Sequence, residues 1–197
     1  MSTVPVRKLT PEQYLEIERK APFKSEFYRG EMFAMSGASR VHNTIQANLM
    51  WRLNERLEGT PCQAVGSDLR VHVSATGLYT YPDAVIHCEP SRFLDNQFDT
   101  LLNPTVLFEI LSDSTEKYDR SAKSSQYRKI DSLQEYVLVS QTAPQVEVYQ
   151  RLPDGDWKLR ESADMTASFA LTSVGITIPL SEVYQRVEFP DPETSVA

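Results

Sequence analysis

Residues 39 to 61 carry the clearest periodic pattern in the chain. Val41, Ile45, Leu49, Leu53 and Leu57 recur every four positions between Ser39 and Gly59-Thr60-Pro61. That spacing stripes one face of a helix, with a serine cap at its start and a glycine-proline stop at its end. A shorter helix is predicted over residues 11 to 20. There Thr10-Pro11-Glu12-Gln13 forms a capping box with proline at the first helical position, followed by Tyr14, Leu15 and Ile17. Between the two helices, SEFYRGEMFAMSGAS reads as extended, contains Glu26 and Glu31, and breaks at Gly37.

After the long helix the pattern shortens to alternation and to brief apolar runs. CQAVG, SDLRVHVS and Tyr79 to His87 predict strands, punctuated by Gly77 and Pro82. A polar connection runs from Glu89 to Asn103, long enough for a functional loop and equally readable as an ordinary surface loop. Thr105 to Leu111 and EYVLVS (135–140) predict buried strands, with a helix beginning near Asp119 between them. PQVEVYQRLPDGDWKLRES alternates on both sides of Asp154-Gly155, a hairpin signal. ITIPLSEVY predicts a strand and a short helical turn. This order implies an α/β (α+β) fold: a mixed central β-sheet flanked by helices, with a C-terminal β-hairpin. Residues 1–190 are expected to form one domain and 191–197 a mobile tail.

Composition narrows the function classes. At 197 residues the chain can bury one sizeable core, and 41% hydrophobic with 24% charged residues is ordinary for a globular protein. A formal net charge of -7 argues against a protein that coats nucleic acid non-specifically, although a local basic groove remains compatible with it. Cys62 and Cys88 have no His or Cys at zinc spacing and are expected to be buried thiols. No apolar run approaches the roughly 18 residues that cross a bilayer, and no signal-peptide core is present, so a cytoplasmic protein without membrane contact is expected. No Walker loop, dinucleotide glycine pattern or serine elbow points to an organic cofactor or to nucleophilic serine chemistry.

Two carboxylates fall where low dielectric is expected. Glu109 lies between Leu107-Phe108 and Ile110-Leu111, and Asp83 follows Tyr81-Pro82 at the start of an apolar strand. On adjacent strands they would repel each other unless something positive bound between them, and a hard divalent cation would serve. Each could instead cap a turn or pair with an arginine. YPDAVI (81–86) and FEIL (108–111) resemble the carboxylate motifs of the PD-(D/E)XK nuclease superfamily. The usual lysine, two residues after the Glu, is absent, since Leu111 stands there.

That departure resembles one branch, the bacterial Uma-two family of restriction-endonuclease-like proteins. GEMFAMSGAS, the helix opening with His42, SDLRV, YPDAVI, LLNPTVLFEILSDSTEKYD, the K-x-x-x-Y spacing and LQEYVLV are similar to its successive blocks, over roughly residues 10 to 150. The resemblance implies a restriction-endonuclease-like core and a Mg²⁺- or Mn²⁺-dependent endonuclease acting on DNA. Asp83, Glu109 and the carbonyl of Ile110 would hold the metal, and Lys123 would be the displaced lysine. Asp119, Lys123 and Tyr127 recur every four residues, so they share a helix face. Glu31 and His42 are possible auxiliary residues. Glu31 could equally be a strand-edge carboxylate, His42 a satisfied helix histidine, and Asp119 a helix cap. Asp68 and Gln134-Glu135 fall in similar blocks, where turn and strand-entry hydrogen bonds would explain them. Lys117, Arg120, Lys123, Arg128 and Lys129 could follow phosphates or simply be solvated. Cutting both strands of a duplex would favour a homodimer. The competing readings are an inactive nucleic-acid-binding or interaction module on the same fold, and a metal-free two-carboxylate hydrolase of small molecules.

Overall fold

The computed structural model of the chain describes residues 8–112 and 114–189, and the predicted tail, 191–197, lies outside the described residues. In chain order the elements begin with α1 (Pro11–Glu18), β1 (Ser25–Tyr28), β2 (Glu31–Ala34) and α2 (Arg40–Leu57). Then come β3 (Cys62–Gly66), β4 (Arg70–Val73), β5 (Leu78–Thr80), β6 (Ala84–Cys88), β7 (Thr100–Leu101) and β8 (Val106–Ile110). A contiguous helical stretch follows: α3 (Glu116–Tyr118), a π-helical turn (Asp119–Lys123) and α4 (Ser124–Tyr127). The chain continues as β9 (Glu135–Val139), β10 (Gln145–Arg151), β11 (Trp157–Ala163), β12 (Ser168–Leu171), β13 (Ile176–Pro179) and α5 (Leu180–Val183).

Both predicted helix caps form. The Thr10 hydroxyl accepts from Gln13 N while the Gln13 side chain accepts from Thr10 N, and the Ser39 hydroxyl accepts from His42 N. The main sheet has the order β11-β10-β9-β8-β6-β3, with β8 and β9 parallel and its other pairs antiparallel. It is therefore a mixed sheet, as the element order implied. A second sheet, β2-β1-β5-β4-β7, covers part of it, and β12 pairs with β13. The Asp154-Gly155 turn closes the β10–β11 hairpin, with Gly155 at φ +91, where a side chain would be strained.

The two faces of the main sheet are buried differently. Ile45, Leu49, Leu53 and Leu57 of α2 lie against Ala84, Ile86, Val106, Phe108 and Ile110. Each such side chain contributes about 1.5 to 3 kcal/mol when fully buried, so the stripe fixes α2 firmly to this face. On the opposite face Val85, Leu107, Leu111, Tyr136 and Leu138 meet Val71, Val73, Leu78 and Leu101 of the second sheet, together with Tyr127, Ile130 and Leu133. Side chains alternate along a strand, so Glu109 shares the face of Leu107 and Leu111. It points towards the second sheet and the helical stretch, away from α2. Leu111 is part of that core, which explains why a lysine does not stand there.

Two expectations need correction or refinement. Cys62 and Cys88 are joined in a disulfide rather than being separate thiols. The antiparallel register of β3 and β6 puts Cys62 directly opposite Cys88, a pairing that sequence separation alone conceals. The polar connection 89–103 contains β7 and is tied to α1 by Arg19, whose guanidinium donates to Asp95 and Asp99. Among the described residues, no helix is long and apolar enough to cross a membrane.

Candidate functional site

β8 is buried along its whole length, so Glu109 has a carboxylate in surroundings that penalise its charge. The compensating groups come from the helical stretch. Lys123 Nζ lies 2.8 Å from Glu109 Oε1, and the Tyr127 hydroxyl donates to the same oxygen at 2.6 Å. The second sheet adds Glu26, whose Oε1 is 3.2 Å from Lys123 Nζ. Glu26 is held in turn by the Thr80 hydroxyl and, at 3.5 Å, by the Tyr118 hydroxyl. Asp119 Oδ1 stands 3.6 Å from Lys123 Nζ. One buried ammonium thus faces three carboxylates.

The π-helical turn contributes to this convergence. Ser124 N donates to Asp119 O, a five-residue step that widens the turn, and both Asp119 and Lys123 are buried. Tyr136 of β9 donates its hydroxyl to Asp119 O at 3.1 Å, fastening the turn to the sheet.

Asp83, the residue just before β6, completes the group. Continuing the register Ala84↔Phe108 places it opposite Glu109. Its Oδ2 accepts from Ile110 N at 2.7 Å, and its Oδ1 lies 3.1 Å from His42 Nε2. Its main-chain oxygen accepts from Gln46 Nε2 at 2.7 Å. The aspartate is therefore oriented by the central strand on one side and by α2 on the other. These groups open into a cleft of about 1010 Å³, whose wall includes Glu26, His42, Asp83, Glu109, Asp119 and Lys123.

The cluster sets four carboxyl groups, of Glu26, Asp83, Glu109 and Asp119, beside one lysine. Burial pushes the Glu109 carboxyl well above its ordinary value; Lys123 pulls it down, while Asp119 and Asp83 push it further up. Asp119 is raised for the same first reason, burial, again with Lys123 opposing and other carboxylates adding. Burial alone would lower Lys123, but Glu109, Glu26 and Asp119 outweigh it and hold the lysine protonated above its usual range. The Tyr127 phenol is raised by burial and then by Glu109, so it remains a donor.

Among the described residues, no group of three His, Cys, Asp or Glu side chains forms a ready metal cage. The donor set is instead two facing carboxyl groups, Asp83 and Glu109, beside the main chain of Ile110, with further carboxyl groups nearby. Mg²⁺ takes one or two protein carboxylates and keeps several waters, and an ionised carboxylate has lone pairs beyond those used above. The residues present fit such an ion.

The structure brings together Asp83, Glu109, Ile110, His42, Asp119, Lys123 and Tyr127. It leaves Glu31 outside, exposed at the start of β2 and opposite Tyr28 at the hairpin end. Glu26 takes the place that sequence reasoning considered for Glu31. A signal for it existed: Phe27 is buried with Tyr14 and Tyr79, so alternation sends Glu26 to the other face. Arg120 diverges from the cluster and pairs with Glu116 and Glu147, which breaks up the basic run 117–129. Asp68 is an exposed partner of Lys24, and Glu135 makes turn hydrogen bonds to Thr172 and Ser173.

Comparisons with known proteins show the family and the fold. Residues 11–181 match the family model Uma2, described as "Putative restriction endonuclease". A protein of Synechocystis sp., "Uncharacterized protein slr1290", is 34% identical over 187 residues, covering 95% of this chain and 97% of the relative. A second, "Uncharacterized protein sll1609", is 37% identical over 153 residues, covering 78% and 86%. The fold is similar to the crystal structure of "a putative nuclease belonging to DUF820" from Anabaena variabilis, with a TM-score of 0.70 at 15% identity, covering 88% of this chain and 96% of that one.

Proposed function

We propose a function from the premise that this chain belongs to the Uma2 family, whose description is "Putative restriction endonuclease", and has a restriction-endonuclease-like fold. The cleft hydrolyses phosphodiester bonds of DNA with the help of Mg²⁺ or Mn²⁺. The observation that carries this reading is the convergence of Asp83 just before β6, Glu109 of β8 and Lys123 of the π-helical turn on the lining of one cleft.

Asp83 and Glu109 would hold the cation, with the Ile110 carbonyl as a neighbouring donor. When bound, the cation supplies positive charge at the scissile phosphate and lowers the pKa of a water. The remaining chemistry belongs to the chain itself. Lys123, kept protonated by its acidic neighbours, presents a positive charge to the phosphate oxygens and stabilises charge that develops on them. Glu26 and Asp119 hold the lysine in place, and Tyr127 fixes Glu109 by donating to Oε1. His42 and Gln46 orient Asp83, so α2 acts as a support for the site.

Calorimetric titration with Mg²⁺ tests the first step. The wild-type chain is expected to bind the ion and Asp83→Asn to lose at least tenfold in affinity, with cleavage of DNA, offered both as single strand and as duplex, lost in parallel. Metal binding unchanged by Asp83→Asn, or cleavage that continues in excess chelator, would overturn the reading.

A further inference from the structure

We propose that the substrate enters this cleft as an unpaired DNA strand, with its bases stacked on an aromatic rim formed by Phe23, Phe33 and Tyr118. The inference rests on the reading of the cleft as a nuclease site and adds the class of substrate. These three rings are unusually open for their type, 59%, 49% and 39% exposed, and all line the same cleft as Asp83 and Glu109.

Their placement follows from the backbone. Phe33 of β2 is the direct partner of Glu26 of β1, and paired residues of adjacent strands project to the same face. Phe33 therefore stands on the side that carries Glu26 to Lys123. Tyr118 is drawn to the same spot from the helical stretch by its hydroxyl, which donates to Glu26 Oε2. Phe23 lies just before β1 on the same rim. Apolar rings held open beside a buried polar cluster bury little area in this chain, whereas a nucleobase offers each of them a flat partner.

Electrostatics favours a single strand over a duplex. Duplex affinity comes mainly from lysine and arginine contacts that replace counterions along two backbones. The lysines of this cleft leave few charges to follow two backbones. Lys24 donates to the Ser67 carbonyl and pairs with Asp68, and Lys123 is a single charge set among acids at the one phosphate to be cut. Together with a net charge of -7, this leaves little cationic surface for a duplex. Stacking needs no net charge and tolerates any base.

The experiment uses the full chain carrying Asp83→Asn, so that binding is measured without cleavage, and a twelve-nucleotide DNA containing the fluorescent base 2-aminopurine. The single strand should bind at least tenfold more tightly than the same sequence annealed, with quenching of the 2-aminopurine. Phe33→Ala should weaken single-strand binding about tenfold, Phe33→Tyr should retain it, and an abasic strand should lose at least as much as Phe33→Ala does. Equal or tighter binding of the duplex, or single-strand affinity unmoved by Phe33→Ala and Phe23→Ala, overturns the proposal. The nuclease reading fails separately, through a wild-type chain that binds the strand in this manner and does not cut it with Mg²⁺.

Discussion

Glu109 and Glu135 stand on neighbouring parallel strands of one sheet, 4% and 0% exposed, and their carboxylates are satisfied in opposite ways. Glu135 accepts from the backbone N–H and hydroxyl groups of Thr172 and Ser173, with Arg160 at 3.4 Å. Its lone pairs are filled mostly by neutral donors built into the turn between β12 and β13. Glu109 has Lys123 and Tyr127 on one oxygen and three further carboxylates in the surrounding group. The first arrangement closes a loop and leaves nothing to add. The second sets four carboxyl groups against one lysine, and it opens into a cleft. Burial of a carboxylate therefore says little by itself; the identity of the groups that answer it separates a structural acid from a functional one.

Paired substitutions test that contrast most strongly. Glu109→Gln should lower the rate of DNA cleavage by about a thousandfold or more while the protein stays folded, because a metal-holding charge is lost and the side-chain shape is kept. Glu135→Gln should instead leave the cleavage rate of the folded fraction within a few-fold of wild type and reduce stability by about 1 to 3 kcal/mol, read by urea denaturation. If the two variants exchanged these behaviours, the distinction drawn here would collapse.

Removing the lysine sharpens the role of the charge cluster. Lys123→Ala should reduce cleavage by about a hundredfold, since a positioned positive charge is lost from the phosphate, and calorimetry should still detect Mg²⁺ binding. Cleavage at the wild-type rate would show that Lys123 serves only to neutralise Glu109.

The smallest effect lies in the pH dependence of stability without metal. The folded chain raises the Glu109 and Asp119 carboxyls above their ordinary values. The stability they contribute is present below the unfolded carboxylate range, near 4, and is lost as pH rises through the folded values. Glu109→Gln removes the Glu109 share of that loss. The melting temperature of Glu109→Gln minus that of wild type should therefore become more positive between pH 5 and pH 8, measured by calorimetry in chelator. A difference constant over that range would mean that Glu109 is ionised as easily as a surface acid.

The parts of this architecture that depend on short-range pattern were legible in the sequence. The four-residue stripe of α2, the apolar run of β8 with Glu109 inside it, and the Asp154-Gly155 hairpin each announce themselves within a few residues. Lys123 was found through family resemblance, because its spacing to Asp119 and Tyr127 fits many ordinary helices. What escaped depends on register between distant strands. Glu26 reaches the lysine only because β1 pairs with β5, bringing it to Thr80, and Cys62 meets Cys88 only through the β3–β6 register. Glu31 was the more conspicuous acid beside its glycine, and it lies at the exposed hairpin end. The π-helical turn likewise has no signature in residue type, because it arises from fastening Asp119 and Lys123 against the sheet.

The central claim is that the facing carboxylates of Asp83, just before β6, and Glu109 of β8 form a cation site. Diffraction from crystals grown with Mn²⁺, collected at the manganese absorption edge, tests it most directly. The account predicts an anomalous peak at the floor of the cleft within about 2.2 Å of an oxygen of Asp83 and an oxygen of Glu109. No peak there in crystals soaked at millimolar Mn²⁺, with Lys123 still closed on Glu109, would contradict it.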